Sequence, residues 1–126
     1  MNKSVAIIGK GPSVLKSTKA FVDSFDEVAG CGRPVFRGYE QYIGRRLHYH
    51  FANKTGTPYT KEEEKILGMK QLICTANDTS IRNNFKYKDL DPSTGMLALN
   101  YFIQQSTYTR IALIGFDLLK NSLSLP

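Results

Sequence analysis

The chain has 126 residues, which leaves room for one domain, residues 1–126, around one hydrophobic core. Hydrophobic residues make up 41% of it and include seven Tyr and seven Phe, a composition that excludes an intrinsically disordered protein. The net charge of +6 suits an anionic partner, and no apolar run approaches the roughly 20 residues of a membrane span. We therefore expect a globular protein without a membrane anchor.

The first predicted elements form a strand–helix–strand unit. The apolar run Ser4 to Ile8 predicts a strand covered on both faces, and the turn Gly9 to Ser13 leads into a helix with Pro12 at its first position. A second strand is expected from Asp26 to Cys31. Ligands of such parallel units gather where the strands end, which is where the glycine turn lies. The predicted helix has one apolar stripe, formed by Val14, Leu15, Thr18, Phe21, Val22 and Phe25.

A third strand is expected from Leu47 to Ala52, after a short helical turn at Tyr39 to Gly44. His48 and His50 alternate along this strand, so their side chains share one face of the sheet. A histidine can act as a general base in catalysis. A structural role for both histidines is the alternative interpretation.

The middle of the chain predicts structure without a metal site. Thr60 and Glu63 form a capping box that opens a helix, and acidic residues there complement the helix dipole. A fourth strand is expected from Gln71 to Thr75, and a short helix around Ser80 to Phe85. The two cysteines, Cys31 and Cys74, have no metal-ligand spacing and are expected to be buried thiols.

The stretch from Asp91 to Asp117 holds the last two predicted elements. A helix begins at Asp91 to Thr94 and is apolar on nearly every side, which predicts burial against a sheet. The fifth strand is expected from Arg110 to Phe116. The alternation of strands and helices predicts a three-layer α/β domain, Rossmann-like, with a mainly parallel five-stranded sheet.

The start of that helix is a candidate anion site. Its first N–H groups are free and carry the positive end of the helix dipole, and Ser93 and Thr94 add two hydroxyls. Gly95 leaves the backbone unobstructed beside them. Ordinary helix capping is the alternative.

Two segments together resemble a known family of glycosyltransferases. The pair "VAIIGKGPSVLKS" and "PSTGMLALNYFI…IALIGFD" resembles the long and short sialylmotifs of animal sialyltransferases, glycosyltransferase family 29. The turn "GKGPS" and the stretch "FRGYEQYIGRRLHYHFAN" are also similar to the bacterial sialyltransferases of family 42. The resemblance implies a CMP-sugar donor such as CMP-sialic acid, a glycan acceptor and no cofactor. The donor-binding residues that it implies are Gly9, Lys10, Gly11, Ser13, Asn53, Ser93, Thr94 and Gly95.

The chain departs from both families at residues that matter for catalysis. Lys10 and Gly32 stand where those families carry asparagine. Their catalytic histidine lies beyond the short motif, in a C-terminal part that this chain is expected to lack. The catalytic residues therefore remain unknown, with His48 and His50 as the candidates, and transfer activity is left open.

Three functional hypotheses follow. The first is a glycosyltransferase of the sialyltransferase type, the second an inactive or truncated nucleotide-binding module, and the third a basic nucleic-acid-binding protein. Against the third, the 17 Lys and Arg are spread along the chain without a nucleic-acid-binding motif. We expect a cytoplasmic protein of bacterial or viral origin. The apolar C-terminal residues Leu118, Leu119, Leu123 and Leu125 further predict a homodimer or a partner chain.

Overall fold

The structure is a computed structural model that describes residues 2–9, 11–31, 38–52, 61–62, 65, 71–74 and 94–116. Its strands are β1 (Lys3–Ile8), β2 (Glu27–Cys31), β3 (Tyr49–Ala52), β4 (Gln71–Cys74) and β5 (Tyr108–Ile114). Its helices are a 3₁₀-helix (Pro12–Lys16), α1 (Lys19–Asp23), α2 (Glu40–Ile43) and α3 (Thr94–Ile103). Among these helices, none combines the length and the apolar composition that crossing a membrane requires.

The strands form one sheet in the order β4-β3-β2-β1-β5, and every neighbouring pair is parallel. Parallel neighbours need crossover connections, which explains why helices separate the strands in sequence. The predicted α/β class with a mainly parallel sheet is therefore confirmed. Since β2, β3 and β4 lie on one side of β1 and β5 lies on the other, the direction of winding reverses between β1 and β5.

The central strand β1 is apolar throughout its second half because both of its faces are covered. Val5 to Ile8 are completely buried. Val5 and Ile7 belong to one core cluster, whereas Ala6 and Ile8 belong to another. This alternation places the two clusters on opposite faces of the sheet.

One face of the sheet is covered by α3. Its buried side chains Leu97, Ala98 and Phe102 pack against β1, β2 and β3. Phe102 makes edge-to-face contacts with Phe51 at 5.7 Å and with Tyr108 at 4.8 Å between ring centroids. Such contacts add to the hydrophobic burial of these large rings. The prediction that this helix is buried against a sheet is confirmed, although its apolar residues Met96 and Ile103 are exposed.

The opposite face is covered by the 3₁₀-helix, α1 and α2. Each of these three elements contributes a buried side chain to the second core cluster, namely Val14, Val22 and Ile43. Arg46, just after α2, donates hydrogen bonds to the carbonyl oxygens of Val22 and Phe25 at 3.1 and 2.9 Å. These bonds hold the segment before β3 against the end of α1.

The single helix predicted after the glycine turn is wrong, because the chain divides into two short helices there. Thr18 has an extended backbone that ends the first helical segment. Its hydroxyl accepts a hydrogen bond from the N–H of Phe21 and so caps the start of a separate helix, α1. The apolar stripe is interrupted as a result. Val22 and Phe25 are buried as expected, whereas Leu15 and Phe21 are exposed.

A buried carboxylate joins three strands near their amino ends. Glu27 is only 3% exposed and accepts hydrogen bonds from the hydroxyls of Tyr108 and of Tyr49, the latter at 3.3 Å. Burial, together with the hydrogen bond to Glu27, raises the pKa of Tyr108. Because Glu27 is on β2 and Tyr108 on β5, their bond spans the width of β1.

Several predicted features lie outside the described residues. These are the capping box of Thr60 and Glu63, the short helix around Ser80 to Phe85, and the C-terminal residues from Asp117. Three predicted site residues also lie outside them, namely Lys10, Asn53 and Ser93.

Candidate functional site

The reversal of winding defines the place where this fold would hold a ligand. In open parallel sheets, ligands bind outside the carboxyl ends of the strands at the point where the strand order reverses. Here that point lies between β1 and β5. The residues that follow these strands are Gly9 to Ser13 on one side and Gly115 to Phe116 on the other.

The glycine turn is hydrogen-bonded to the end of β5. The N–H of Gly9 donates to the carbonyl of Ile114 at 2.7 Å, and the N–H of Gly11 donates to the carbonyl of Gly115 at 2.6 Å. These two donors are therefore occupied by the main chain, so they are not available to a ligand. An anion beside this turn could therefore not use the N–H groups of Gly9 and Gly11.

Glycines permit this close approach of two backbones. A Cβ on Gly9 would lie 2.8 Å from the carbonyl oxygen of Gly115. Gly115 has φ of +81°, which favours glycine, and a Cβ there would lie 2.5 Å from Cγ2 of Val14. Side chains at either position would force β1 and β5 apart at their carboxyl ends.

The ring of Phe116 connects the glycine turn to the start of α3. A Cβ on Gly9 would lie 3.0 Å from Cε1 of Phe116, and a Cβ on Gly95 would lie 2.5 Å from the same atom. One ring therefore fills the space that two missing side chains leave. The turn and the first residues of α3 consequently lie at the same edge of the sheet.

The start of α3 has backbone N–H groups that make no hydrogen bond within the helix. Thr94 and Gly95 are its first two residues, and the first four N–H groups of a helix have no acceptor within it. These groups carry the positive end of the helix dipole. A phosphate at this edge could therefore bind the backbone N–H groups at the start of α3.

An open pocket of about 400 Å³ borders this edge of the sheet. It lies between the 3₁₀-helix and α1 on one side and the end of β5 on the other. Its lining residues are Ser13, Lys16, Ser17, Thr18, Phe21, Leu113, Ile114 and Gly115. Of the residues predicted to bind a donor, Ser13 lines this pocket.

The pocket and its surroundings are positively charged. Lys16 forms no ion pair with a described residue. The Arg110 guanidinium lies 4.1 Å from the ring centroid of Phe25 and 5.9 Å from that of Phe21, a cation–π arrangement. The neighbouring Lys19, by contrast, forms an ion pair with Asp23. Lys16 and Arg110 therefore leave a positive field beside the pocket.

The two histidines lie away from the β1/β5 edge. His48 precedes β3 at the amino edge of the sheet, and its Nδ1 accepts a hydrogen bond from the N–H of Val28 at 2.9 Å. His50 is completely buried and pairs in register with Gly30 of β2, and its strand β3 is separated from β5 by β2 and β1. This arrangement gives His48 a structural role. A catalytic base must reach the substrate. The side chain of His50 is completely buried, so it has no exposed surface for that contact.

The described residues contain no group of three or more His, Cys, Asp or Glu side chains that could hold a metal ion. Cys31 is a free thiol in the core, and burial raises its pKa to about 12. A thiol with so high a pKa is a poor nucleophile. The side chain of Cys74 lies outside the described residues.

Sequence reasoning did not identify several residues that shape this edge. Phe116 and Gly115 were assigned only to the end of a strand, and Phe21 only to the core. The pair Gly-Phe directly after an apolar strand is a signal for Gly115, because glycine often marks a turn of positive φ. No local signal identifies the contact of Phe116 with Gly9 and Gly95, which are far away in sequence.

The chain was compared with protein-family models and with curated proteins, and neither comparison found a match. The fold and the geometry at the carboxyl edge are therefore the observations from which a function can be argued.

Proposed function

We propose that the protein binds a CMP-sugar at the carboxyl edge of the sheet, between β1 and β5, as a nucleotide-binding domain of the sialyltransferase type. The observation that carries the proposal is the convergence of Gly9, Gly95 and Gly115 around Phe116 at the reversal of strand order. Ligand sites of parallel sheets occur at such points. The sialylmotif resemblance supports the choice of a CMP-sugar.

We further propose that the fold is a three-layer, Rossmann-like sandwich. Two core clusters on opposite faces of the sheet support this arrangement, one with α3 and one with α1 and α2. The helices that follow β1 and β2 share one face, and α3, which precedes β5, is on the other. Right-handed crossovers predict this distribution when the winding reverses.

In this proposal the phosphate lies at the carboxyl edge beside the glycine turn and the start of α3, outside the space between Gly9 and Gly95 that the Phe116 ring fills. The first N–H groups of α3 and the hydroxyls of Ser93 and Thr94 bind its oxygens, and Lys10 neutralises its charge. Ser13 lies next to the pocket, and Asn53, after β3, contacts the sugar or base. Gly9 acts by allowing the close approach rather than by donating a hydrogen bond to the ligand, and the N–H of Gly11 is likewise bonded to the main chain.

Titration calorimetry with CMP, UMP and AMP tests this proposal. We expect CMP to bind more tightly than the other two nucleotides. A charge-assisted phosphate contact is roughly twice as strong as a neutral one, so Lys10→Ala should weaken binding by more than Ser93→Ala. Undetectable binding of all three nucleotides would leave a shared fold without the function.

The second candidate is a module that binds the nucleotide without transferring the sugar to a glycan acceptor. The observations that favour it are the hydrogen bond between His48 and Val28 and the complete burial of His50. Loss of a general base typically slows a reaction by about 10²- to 10⁴-fold. An assay of sugar transfer from CMP-sialic acid decides between the two. Transfer that survives His48→Ala and His50→Ala would require a base elsewhere in the chain.

A nucleic-acid-binding role predicts a different response to salt. Polynucleotide binding through Lys and Arg weakens steeply as the salt concentration rises, because counterions are released from the phosphates. Binding of a CMP-sugar through few contacts should depend on salt far less. We also place the protein in a reducing, cytoplasmic compartment, which the free thiol of Cys31 supports.

A further inference from the structure

We infer that the pocket beside β5 binds the base of the nucleotide and that Phe21 is the surface on which the base stacks. This inference rests on the proposed function, since it assigns a place to one part of the proposed ligand. It concerns residues outside the sialylmotif donor set, apart from Ser13.

The position of the pocket connects it to the phosphate site. Ile114 and Gly115 line the pocket, and the same two residues accept the hydrogen bonds of the glycine turn. A nucleotide with its phosphate at the turn can therefore extend its base into the pocket without crossing the sheet. A volume of about 400 Å³ falls within the usual range for small-molecule sites.

Phe21 has the properties of a stacking surface. Its side chain is 45% exposed and lines the pocket, although phenylalanine is usually buried. The ring is held in place by an edge-to-face contact with Phe25, at 5.2 Å and an interplanar angle of 76°. Because this contact orders the ring in advance, a base that stacks on it pays little additional entropy.

Some of the residues that line the pocket are polar, which suits the edge of a heterocyclic base. Ser13 and Thr18 contribute hydroxyls, and Lys16 contributes an ammonium group without an ion pair among the described residues. The heteroatoms of a base can accept or donate hydrogen bonds there while its face lies on Phe21. A purely aliphatic ligand would leave these polar groups unused.

Binding of CMP, ribose 5-phosphate and inorganic phosphate to three variants tests the inference. Loss of an aromatic stacking partner weakens nucleotide binding by about 5- to 150-fold, so we expect Phe21→Leu to weaken CMP binding within that range. Phe21→Tyr keeps a ring and should bind CMP about as well as the original chain. Leu15→Ala is the matched control, because Leu15 is similarly exposed, at 48%, on the adjacent helix and does not line the pocket.

Ribose 5-phosphate separates the two proposals, because it has the phosphate and sugar but no base. Its affinity should be the same in the original chain and in Phe21→Leu. Two results would show that the base lies elsewhere, so that the inference alone fails. In the first, CMP binds and Phe21→Leu leaves the affinity for CMP unchanged. In the second, Phe21→Leu weakens the binding of ribose 5-phosphate as much as that of CMP. If no nucleotide binds, the proposed function fails and the inference fails with it.

Amide chemical shifts in the original chain give a second measurement that needs no variant. We expect the shifts of Ser17, Phe21 and Gly115 to differ between the complexes with CMP and with ribose 5-phosphate. Differences confined to residues outside the pocket would overturn the inference.

Discussion

At the scale of single residues, the contact between Gly95 and Phe116 sets how closely α3 approaches the end of β1. The Phe116 ring also touches Gly9, so it has little room to move away from Gly95. Gly9 differs because a side chain there would meet the backbone oxygen of Gly115. The two glycines therefore respond differently when the ring is removed.

We expect Gly95→Ala to lower the free energy of unfolding by about 1–2 kcal/mol. Overpacking against Phe116 costs roughly 1–3 kcal/mol, and the better helix propensity of alanine returns up to about 1 kcal/mol. In a Phe116→Ala background the same substitution should become neutral or stabilising. Urea unfolding of the four proteins in this double-mutant cycle measures the change.

Gly9→Ala is the control for this cycle. Its clash is with a backbone atom, so Phe116→Ala should not relieve it. Equal costs of Gly95→Ala in both backgrounds, or relief of Gly9→Ala by Phe116→Ala, would contradict the proposed packing.

A second residue-scale prediction concerns the pH dependence of stability. The pKa of Tyr108 in the folded protein is raised above its ordinary value of about 10 by burial and by the bond to Glu27. Above pH 10 the unfolded chain therefore loses a proton that the folded chain retains, so stability falls as the pH rises. We expect Tyr108→Phe to lose less stability between about pH 9 and about pH 11 than the original chain.

At neutral pH, Tyr108→Phe should be less stable by about 1–3 kcal/mol, because a buried carboxylate loses a donor. Tyr39→Phe is the matched control, since Tyr39 packs on the opposite face of the sheet. Chemical unfolding at a series of pH values measures both effects. Parallel pH profiles for the original chain and Tyr108→Phe would contradict the assigned role of Tyr108.

At the scale of elements, two adjacent hydroxyls in the linker before α1 have opposite energetic roles. The hydroxyl of Thr18 caps α1 by accepting from the N–H of Phe21 at 3.2 Å. The hydroxyl oxygen of Ser17 is buried and has no hydrogen-bond partner among the described residues. A buried polar atom without a partner destabilises the fold.

We expect Thr18→Ala to lower the free energy of unfolding by about 1 kcal/mol, as is typical for loss of an N-cap. Ser17→Ala should be neutral or stabilising, because it removes an unsatisfied buried oxygen. Thermal and urea unfolding of the two variants check this contrast. A larger loss for Ser17→Ala than for Thr18→Ala would show that Ser17 has a partner the structure does not describe.

At the scale of the whole molecule, apolar side chains remain exposed on the face that carries α3. Met96 and Ile103 are seven residues apart on this helix, which places them two turns apart on one side, and both are exposed. Leu113 is also exposed and lies on the same face of β5 as Ile111, which packs beside α3. Where exposed apolar side chains form a contiguous surface, that surface favours binding to another protein.

We propose that the chain forms a homodimer through this face. Ile103→Glu should shift the equilibrium toward the monomer, because a buried unpaired charge at the interface is costly. Leu15→Glu introduces the same charge at an exposed leucine of the 3₁₀-helix and should leave the dimer intact. Sedimentation equilibrium over a range of concentrations measures both. A monomer at every concentration would contradict the proposal.

Several elements could be predicted from the sequence because their signals are local. Three features were predicted close to where they lie, namely the apolar run of β1, the turn after it and the start of α3. Their signals, hydrophobic periodicity and the backbone freedom of glycine, depend on only a few neighbouring residues. The parallel sheet was also predictable, since helices alternate with short apolar strands. Of the candidate site, these local signals identified Gly9, Gly11 and Gly95.

How those elements meet could not be predicted in this way, because it depends on contacts between distant parts of the chain. The placement of β5 beside β1, the ring of Phe116 between Gly9 and Gly95, and the bond from Val28 to His48 all join residues far apart in sequence. The exposure of Phe21 depends on where α1 begins relative to the sheet. Helical periodicity can place a side chain on a stripe, but whether that stripe is covered depends on the packing of neighbouring elements. The contacts that shape the site therefore follow from the packing of the whole chain.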